Sequence, residues 1–408
     1  MIKNLLSVFF LLMTACNITV NAQQKAEIVS VKQGEVVIPL NNVNTVATKV
    51  TVSINGVEKE YAVTPGQQNI TLSAPAETGI YDVVVTADNK EVSQLRLVNV
   101  TREVKHKVLF EEFTGLGCGW CPRGLVAQET AREMYGSDIV LISAHFDDPM
   151  KCKQYNYLKQ AQLPSSHLDR MYLSIDPYFG TSGGSTIFGI NEDIKKCAAI
   201  VPVAEVNVDA SIDGDILTAK ADVKMLYTGT GDYALGFVVT EDGIYNEKWG
   251  QLNNYNQVSG KGFIEEEDPR FEKWLNGDKQ FHGHVYDDVA IDAQGIKKGL
   301  DNSMPASFTE EESIIYETEF DLTKLKQIKN RKNLNVCVFL YDRTADHVIN
   351  SNFMSFEHET AIEGVETDDE NIIETARYTV DGCRIDSPQK GINIIKYSDG
   401  SIRKVIIK

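Results

Sequence analysis

TGLGCGWCPRG, residues 114–124, puts two cysteines, a tryptophan and four glycines into eleven residues. The use made of Cys118 and Cys121 decides how the rest of the chain is read. Thiols at this spacing fit a redox centre, half of a metal site or a structural disulfide. The flanks give the setting. Lys107–Phe113 (KVLFEEF) reads as a strand, and Pro122–Tyr135 (PRGLVAQETAREMY) as a helix with Leu125, Val126, Thr130 and Met134 on or near one face. Asp138–Ala144 (DIVLISA) is a nearly unbroken apolar run, the pattern of a strand buried on both faces. Strand, helix and strand in this order predict a βαβ unit with a parallel pair and a right-handed crossover. Beyond it, Leu168–Leu173 (LDRMYL) reads as another strand. Ile187–Ile200 reads as a helix, apolar at Ile187, Ile190, Ile194, Cys197 and Ala198.

A Cys-x-x-Cys where a buried strand gives way to a helix has a specific chemistry. The first sulfur lies beside the free amides and positive end of the helix, which favours its thiolate. The second lies about a turn later, within reach to close a disulfide or attack a mixed one. Pro122 suits the first helical turn, where its missing N–H costs little, and Arg123 adds a positive charge. Zinc would need two further ligands. The sequence holds no second Cys-x-x-Cys, and Cys152, His145 and His167 are recruits at no regular spacing. Haem attachment needs a histidine straight after Cys121, where Pro122 stands. Neither a metal nor a separate cofactor is expected, and a redox pair competes with an inert disulfide.

The chain has 408 residues, 42% of them hydrophobic, which suggests two to four domains with sizeable cores. With 58 acidic against 40 basic residues the formal charge is −18, so the surface repels phosphate backbones and nucleic acid is not expected as a partner. The start reads as an export signal over residues 1–22. Lys3 supplies a positive charge, Leu5–Ala15 is too short for a lasting membrane anchor, and Ala22 precedes Gln23 as a cleavage-site residue. Met13-Thr14-Ala15-Cys16 offers a competing reading as a lipidation box. The remaining cysteines are too sparse for a disulfide scaffold, although export places them where disulfides can persist.

Residues 25–102 read as a small Ig-like β-sandwich: Lys49–Ile54 alternates, Asn55-Gly56 signals a hairpin, and Val57–Val63 returns. Residues 201–357 read as a second, larger sandwich, with Leu217, Ala219, Ala221, Val223 and Met225 alternating against polar neighbours. Within it, 241–312 is a long polar insertion, a length that in a sandwich marks a functional or mobile loop. His282 and His284 with Asp287 and Asp288 form a weak candidate metal cluster, and Asn253–Asn256 (NNYN) reads as loop filler or the rim of a site. Cys152 with Cys197, or Cys337 with Cys383, are optional pairs. Residues 358–375 form an acidic linker, and residues 376–408 a small all-β tail.

Phe110–Arg123 (FEEFTGLGCGWCPR) resembles the active-site segment of the thioredoxin superfamily. That resemblance implies a redox-active Cys118–Cys121 disulfide in which Cys118 is the nucleophile and Cys121 resolves. It also implies that Glu112, six residues before Cys118, is a buried acid moving the resolving proton. Pro164, in Leu163-Pro164-Ser165, takes the position of the superfamily's cis-proline. Together with Trp120, Leu163 and Ser165 it would shape a groove for an extended thiol partner. Strand alternation puts Phe110, Glu112 and Thr114 on one side and Glu111 and Phe113 on the other, so one of the two acids is expected to face out. More narrowly, EEFTGLGCGWCPRG with LPSSHLDR resembles the outer membrane protein 28 family of Bacteroidetes. His145–Met150 (HFDDPM) is similar to that family's segment after the second strand. The tail resembles the C-terminal sorting domains read by type IX secretion in the same phylum.

These resemblances imply an α/β thioredoxin-like domain over 103–200, flanked by all-β domains. They imply a protein thiol–disulfide oxidoreductase, exported to the outer membrane, cell surface or medium, with the periplasm as the alternative. Its partners would be protein thiols or disulfides of the cell envelope. The alternative is a non-enzymatic surface binding or adhesion protein built on the same scaffold.

Overall fold

The computed structural model describes residues 26–31, 34–40, 47–158, 160–258, 260–356, 374–379, 384–385, 387–389, 391–397 and 402–407. Residues 1–22 with Cys16, read as an export signal, the expected linker up to residue 373, and Cys383 lie outside the described residues. The chain divides into two compact units, Met1–Glu357 and His358–Lys408.

An eight-stranded mixed sheet forms the centre of the first unit. Its order is Tyr172–Ile175, Ser165–Leu168, Val108–Thr114, Ile139–His145, Val289–Gln294, Tyr233–Glu241, Leu334–Asp342 and His347–Ser355. Val108–Thr114 and Ile139–His145 run parallel, joined through helix α1 (Pro122–Tyr135). Both of these strands are buried along their whole length, as the apolar run DIVLISA requires. One face carries Val108, Phe110, Leu141, Phe237 and Val338 against α1, helix α2 (Ile190–Ala198) and a three-stranded sheet. That smaller sheet, Ala204–Asp213, Ile216–Met225 and Ser313–Asp321, completes a sandwich; its Leu217, Ala219, Ala221 and Val223 are fully buried. The opposite face packs Leu109, Phe113, Val140, Ile142, Val238 and Phe339 under Cys152 and Tyr155.

The N-terminal part is a sandwich of its own. Five strands in the order Ala26–Val31, Lys90–Val100, Gly79–Ala87, Lys49–Ile54 and Val57–Ala62 are covered by the Glu35–Pro39/Asn69–Ser73 pair. Val36, Ile38, Val50, Val52, Val83 and Leu97 fill the space between the two layers. Asn55 and Gly56 both take positive φ, 46° and 84°, which a two-residue hairpin turn needs. The second unit holds a four-stranded sheet in the order Arg384–Ile385, Glu374–Thr379, Gly391–Tyr397 and Ile402–Ile407.

The expected fold class, an α/β thioredoxin-like domain with separate all-β neighbours, is corrected by this architecture. Strand dominates the molecule, which is mostly β-sandwich, and α1 and α2 span only 14 and 9 residues. Strands from 108–175 and from 233–355 share one sheet, so the βαβ segment is part of a larger sandwich. The join is Val289–Gln294 (VAIDAQ), which lies inside the polar insertion. It pairs parallel with Ile139–His145 through Val289 and Ser143, and antiparallel with Tyr233–Glu241. A βαβ pattern reports local order alone; which strand lies on its far edge is a non-local matter.

Neither of the adjacent acids faces out. Glu111 and Glu112 are both fully buried, on opposite faces of the sheet. Arg170 closes two hydrogen bonds on Glu111, Nε to Oε2 at 2.9 Å and Nη2 to Oε1 at 2.8 Å, and Tyr155 Oη donates to Oε1 at 3.1 Å. Burial opposes the charge on Glu111, but Arg170 outweighs it and holds the carboxyl below its usual range. Asp169 accepts the Leu109 N–H at 2.7 Å. The HLDR segment is therefore fastened to the strand that carries the two glutamates.

Candidate functional site

Val108–Thr114 ends at the glycine-rich turn, and α1 begins at Pro122 with Cys121 as its N-cap residue. Cys118 N–H donates to Gly115 O at 3.0 Å, and Cys121 N–H to Cys118 O at 3.2 Å, coiling the turn into the helix. Cys118 and Cys121 form a disulfide with Cα atoms 5.3 Å apart. Cys118 is half-buried and Cys121 fully buried, so an attacking group reaches Cys118 first.

Glu112 lies beneath this turn. Ser143 Oγ donates to its Oε2 at 3.3 Å, while Oε1 has no hydrogen-bond partner. A Cβ on Gly124 would meet Oε1 at 2.0 Å, so the carboxyl presses on the first turn of α1 and only glycine fits there. Burial pushes its pKa up to about 8, against the Thr114 and Ser143 hydroxyls that favour the charged form. Between the ordinary value of 4.5 and about 8 the folded chain keeps a proton that the unfolded chain releases. This group's contribution to stability is thus full below the lower value and is lost as pH rises through the upper one. Glu112→Gln is expected to remove that slope. Thermal melts from about pH 5 to about pH 9 should show the variant gaining on the parent as pH rises, by at most roughly 1.4 kcal/mol per pH unit. A constant difference across that range would place the proton elsewhere.

The Leu163–Pro164 peptide bond is cis. Ser165 pairs with Phe113, which sets Pro164 level with Thr114 at the mouth of the turn. Leu163 Cδ1 would lie 3.8 Å from a Cβ on Gly115, and Ser165 is buried. His145 pairs in register with Thr114. Its Nδ1 lies 2.7 Å from Asp148 Oδ2, which also accepts the Leu116 N–H at 3.0 Å. Burial opposes ionisation of Asp148, yet His145 and the N–H groups of Leu116 and Met150 keep its pKa below the usual value. HFDDPM thus ties down the front of the cysteine turn.

The insertion closes the other side. Gln251, fully buried, donates its Nε2 to Cys118 O at 3.0 Å and to Gly115 O at 3.3 Å. Leu252 N–H donates to Leu116 O and Asn254 N–H to Gly119 O, both at 2.8 Å. A Cβ on Gly119 would strike Asn254 Cγ at 2.4 Å. Trp120 meets Tyr255 edge-on with ring centroids 5.3 Å apart. Arg123 Nε donates to Tyr255 Oη at 3.1 Å, and its Nη1 to Asp176 at 2.6 Å. Asn254 and Tyr255, in the run expected as filler or rim, therefore border the cysteine turn. No residue pattern in the sequence pointed to Gln251; the length of the insertion was the one available sign. Gln251→Ala is expected to remove the side-chain hydrogen bonds that fasten the insertion to the turn, at a cost of about 0.5–1.5 kcal/mol for each bond lost. Limited proteolysis within 243–288 should then run several-fold faster, and an unchanged digestion pattern would dismiss the clamp.

Other candidates separate. Asp287 and Asp288 pair with Arg132 rather than with the histidines, and His282 is exposed. His284 packs on Trp274 and Tyr286, and burial lowers its pKa to about 3. Among the described residues no three His, Cys, Asp or Glu side chains are placed to hold a metal. Cys152, Cys197 and Cys337 are free and buried, so the optional Cys152–Cys197 pair does not form. Cys337 stands unpaired; Cys383 lies outside the described residues. Apart from the cysteine turn, a polar cavity of about 450 Å³ is lined by Tyr81, Tyr227, Tyr233, Asp232 and Asp342.

No family model matches the chain, and no curated protein matches it. Among solved structures it is similar to HBP35 of Porphyromonas gingivalis, at 17% identity over 74% of this chain and 99% of that one, with a TM-score of 0.42. It is also similar to a protein of Agrobacterium tumefaciens, at 13% identity over 62% and 96% of the two chains, TM-score 0.33. A third is a candidate carbohydrate binding protein from Bacteroides uniformis, at 10% identity over 81% and 97%, TM-score 0.19.

Proposed function

We propose that the chain exchanges disulfides with protein thiols of the cell envelope at Cys118–Cys121. The observation that carries this reading is the buried Glu112 carboxyl, poised near neutral pH under the helix turn that bears the disulfide. A partner thiolate attacks Cys118 Sγ, the Cys118–Cys121 bond breaks, and Cys121 leaves as a thiolate that takes the Glu112 proton. The result is a mixed disulfide. A second thiolate of the same partner then attacks the partner's own sulfur and releases the Cys118 thiolate. The partner ends oxidised to a disulfide and the chain reduced by two electrons; run backwards, the same steps reduce a partner disulfide. Trp120, Leu163, Pro164 and Ser165 would border the partner's path.

The export signal and sorting-type tail support placement at the outer membrane, the cell surface or outside the cell. No helix among the described residues is long and apolar enough to cross a membrane. The test is to follow reduction of insulin, or reoxidation of a reduced substrate protein, by the full chain in defined dithiothreitol buffers. Turnover above the uncatalysed rate supports exchange, and its absence removes it.

A second reading, a surface binding protein with an inert disulfide, is favoured by a different observation. The turn's carbonyls are held by Gln251, Leu252 and Asn254, and the tyrosine-lined cavity of about 450 Å³ offers a separate place for a ligand.

A further inference from the structure

The insertion also offers a surface beside the disulfide. Trp120, between the two cysteines, has the Arg123 guanidinium 5.6 Å from its ring centre and Phe263 stacked at 6.2 Å with planes 19° apart. Phe263 is 39% exposed, unusual for a large apolar side chain at a site otherwise so enclosed. Its loop is built to keep it there. The N–H groups of Gly260, Lys261 and Phe263 donate to the Glu266 carboxylate at 2.6, 3.1 and 2.8 Å. Gly260 and Gly262 take φ of 75° and 79°, which lets the backbone wrap that carboxylate. The ring is thus presented by an ordered loop.

We infer that Phe263 and Trp120 form an apolar shelf that receives an apolar side chain next to the reacting cysteine of an extended polypeptide partner. This rests on the proposed exchange at Cys118. Access decides the geometry: Gln251 and Asn254 close one side of the turn, and Asp148 tethers its front at Leu116. Trp120 stands two residues from Cys118 and Phe263 stacks on it, so both rings border the turn that carries the disulfide. Polarity decides the chemistry. The rings are neutral and apolar, so an apolar residue gains contact area there that a polar one does not.

The experiment uses the reduced full chain and two disulfide-bonded peptides that differ only beside one cysteine, leucine in one and glutamine in the other. The wild-type chain is expected to react with the leucine peptide about tenfold faster. In Phe263→Ala that ratio should fall toward one, and Phe263→Leu should keep most of it. Equal rates for the two peptides in the wild type, or an unaltered ratio in Phe263→Ala, would overturn the shelf while leaving exchange intact. If the wild type reacts with neither peptide, and dithiothreitol does not reduce its own disulfide, exchange itself fails and the shelf goes with it.

Discussion

Cys118→Ala is expected to lower disulfide exchange by on the order of a hundredfold or more, because the group that carries the bond is gone. Cys121→Ala should do something different. Cys118 would still attack a partner disulfide, but with no second thiol the mixed disulfide persists and accumulates as a band that collapses with reductant. The asymmetry follows from position: Cys118 is half-buried at the turn, whereas Cys121 is buried at the start of α1. Non-reducing electrophoresis after incubation with an envelope extract or a model disulfide reads both outcomes. Adducts with Cys118→Ala but none with Cys121→Ala would invert the assigned roles. Equal turnover in all three chains would leave the disulfide structural and favour the binding reading. Cys152, Cys197 and Cys337 do not confuse the assay, since all are buried and burial holds Cys152 near 12 and the other two well above the ordinary thiol value.

Arg170→Met is expected to be the most damaging single change away from the cysteines. It leaves Glu111, fully buried, without the guanidinium that closes two hydrogen bonds on it. Losing one partner of such a pair costs about 3–5 kcal/mol, because the remaining charge has no water to turn to. The neighbouring His167 offers no rescue at neutral pH, since burial pushes its pKa down to about 4. Combining Arg170→Met with Glu111→Leu should recover most of the loss, as removing both charges also removes their desolvation. Denaturant midpoints of the two single variants and the double variant decide it. A double variant as unstable as Arg170→Met would mean that packing of Arg170 over Phe339, 4.6 Å from the ring centre, dominates instead.

Some of this could be read locally. The αR-compatible run PRGLVAQETAREMY becomes α1 with the bounds the sequence suggests, because proline at its start and glycine after its end punctuate it. Asn55-Gly56 closes its hairpin for a similarly local reason. The expectation that Glu111 or Glu112 faces water failed, because alternation assumes a wet face and this sheet is covered on both. The Arg170 that makes burial of Glu111 tolerable is 59 residues away in sequence. Leu168–Leu173 is likewise not one strand: Asp169 and Arg170 take positive φ and turn the chain between two short strands.

What the sequence by itself determined is the chemistry at hand: a Cys-x-x-Cys between a buried strand and a helix, an acid six residues before it, a proline downstream and a strongly acidic balance. Those depend on residues close together in the chain, where backbone geometry restricts the choices. Tertiary structure alone decided that the βαβ segment belongs to an eight-stranded sandwich sheet. It also decided that Gln251 and Asn254 hold the cysteine turn and that Phe263 stands over Trp120. Those contacts join positions more than a hundred residues apart, and they form because buried carbonyls must find donors and apolar strands must find cover, wherever along the chain the partners lie.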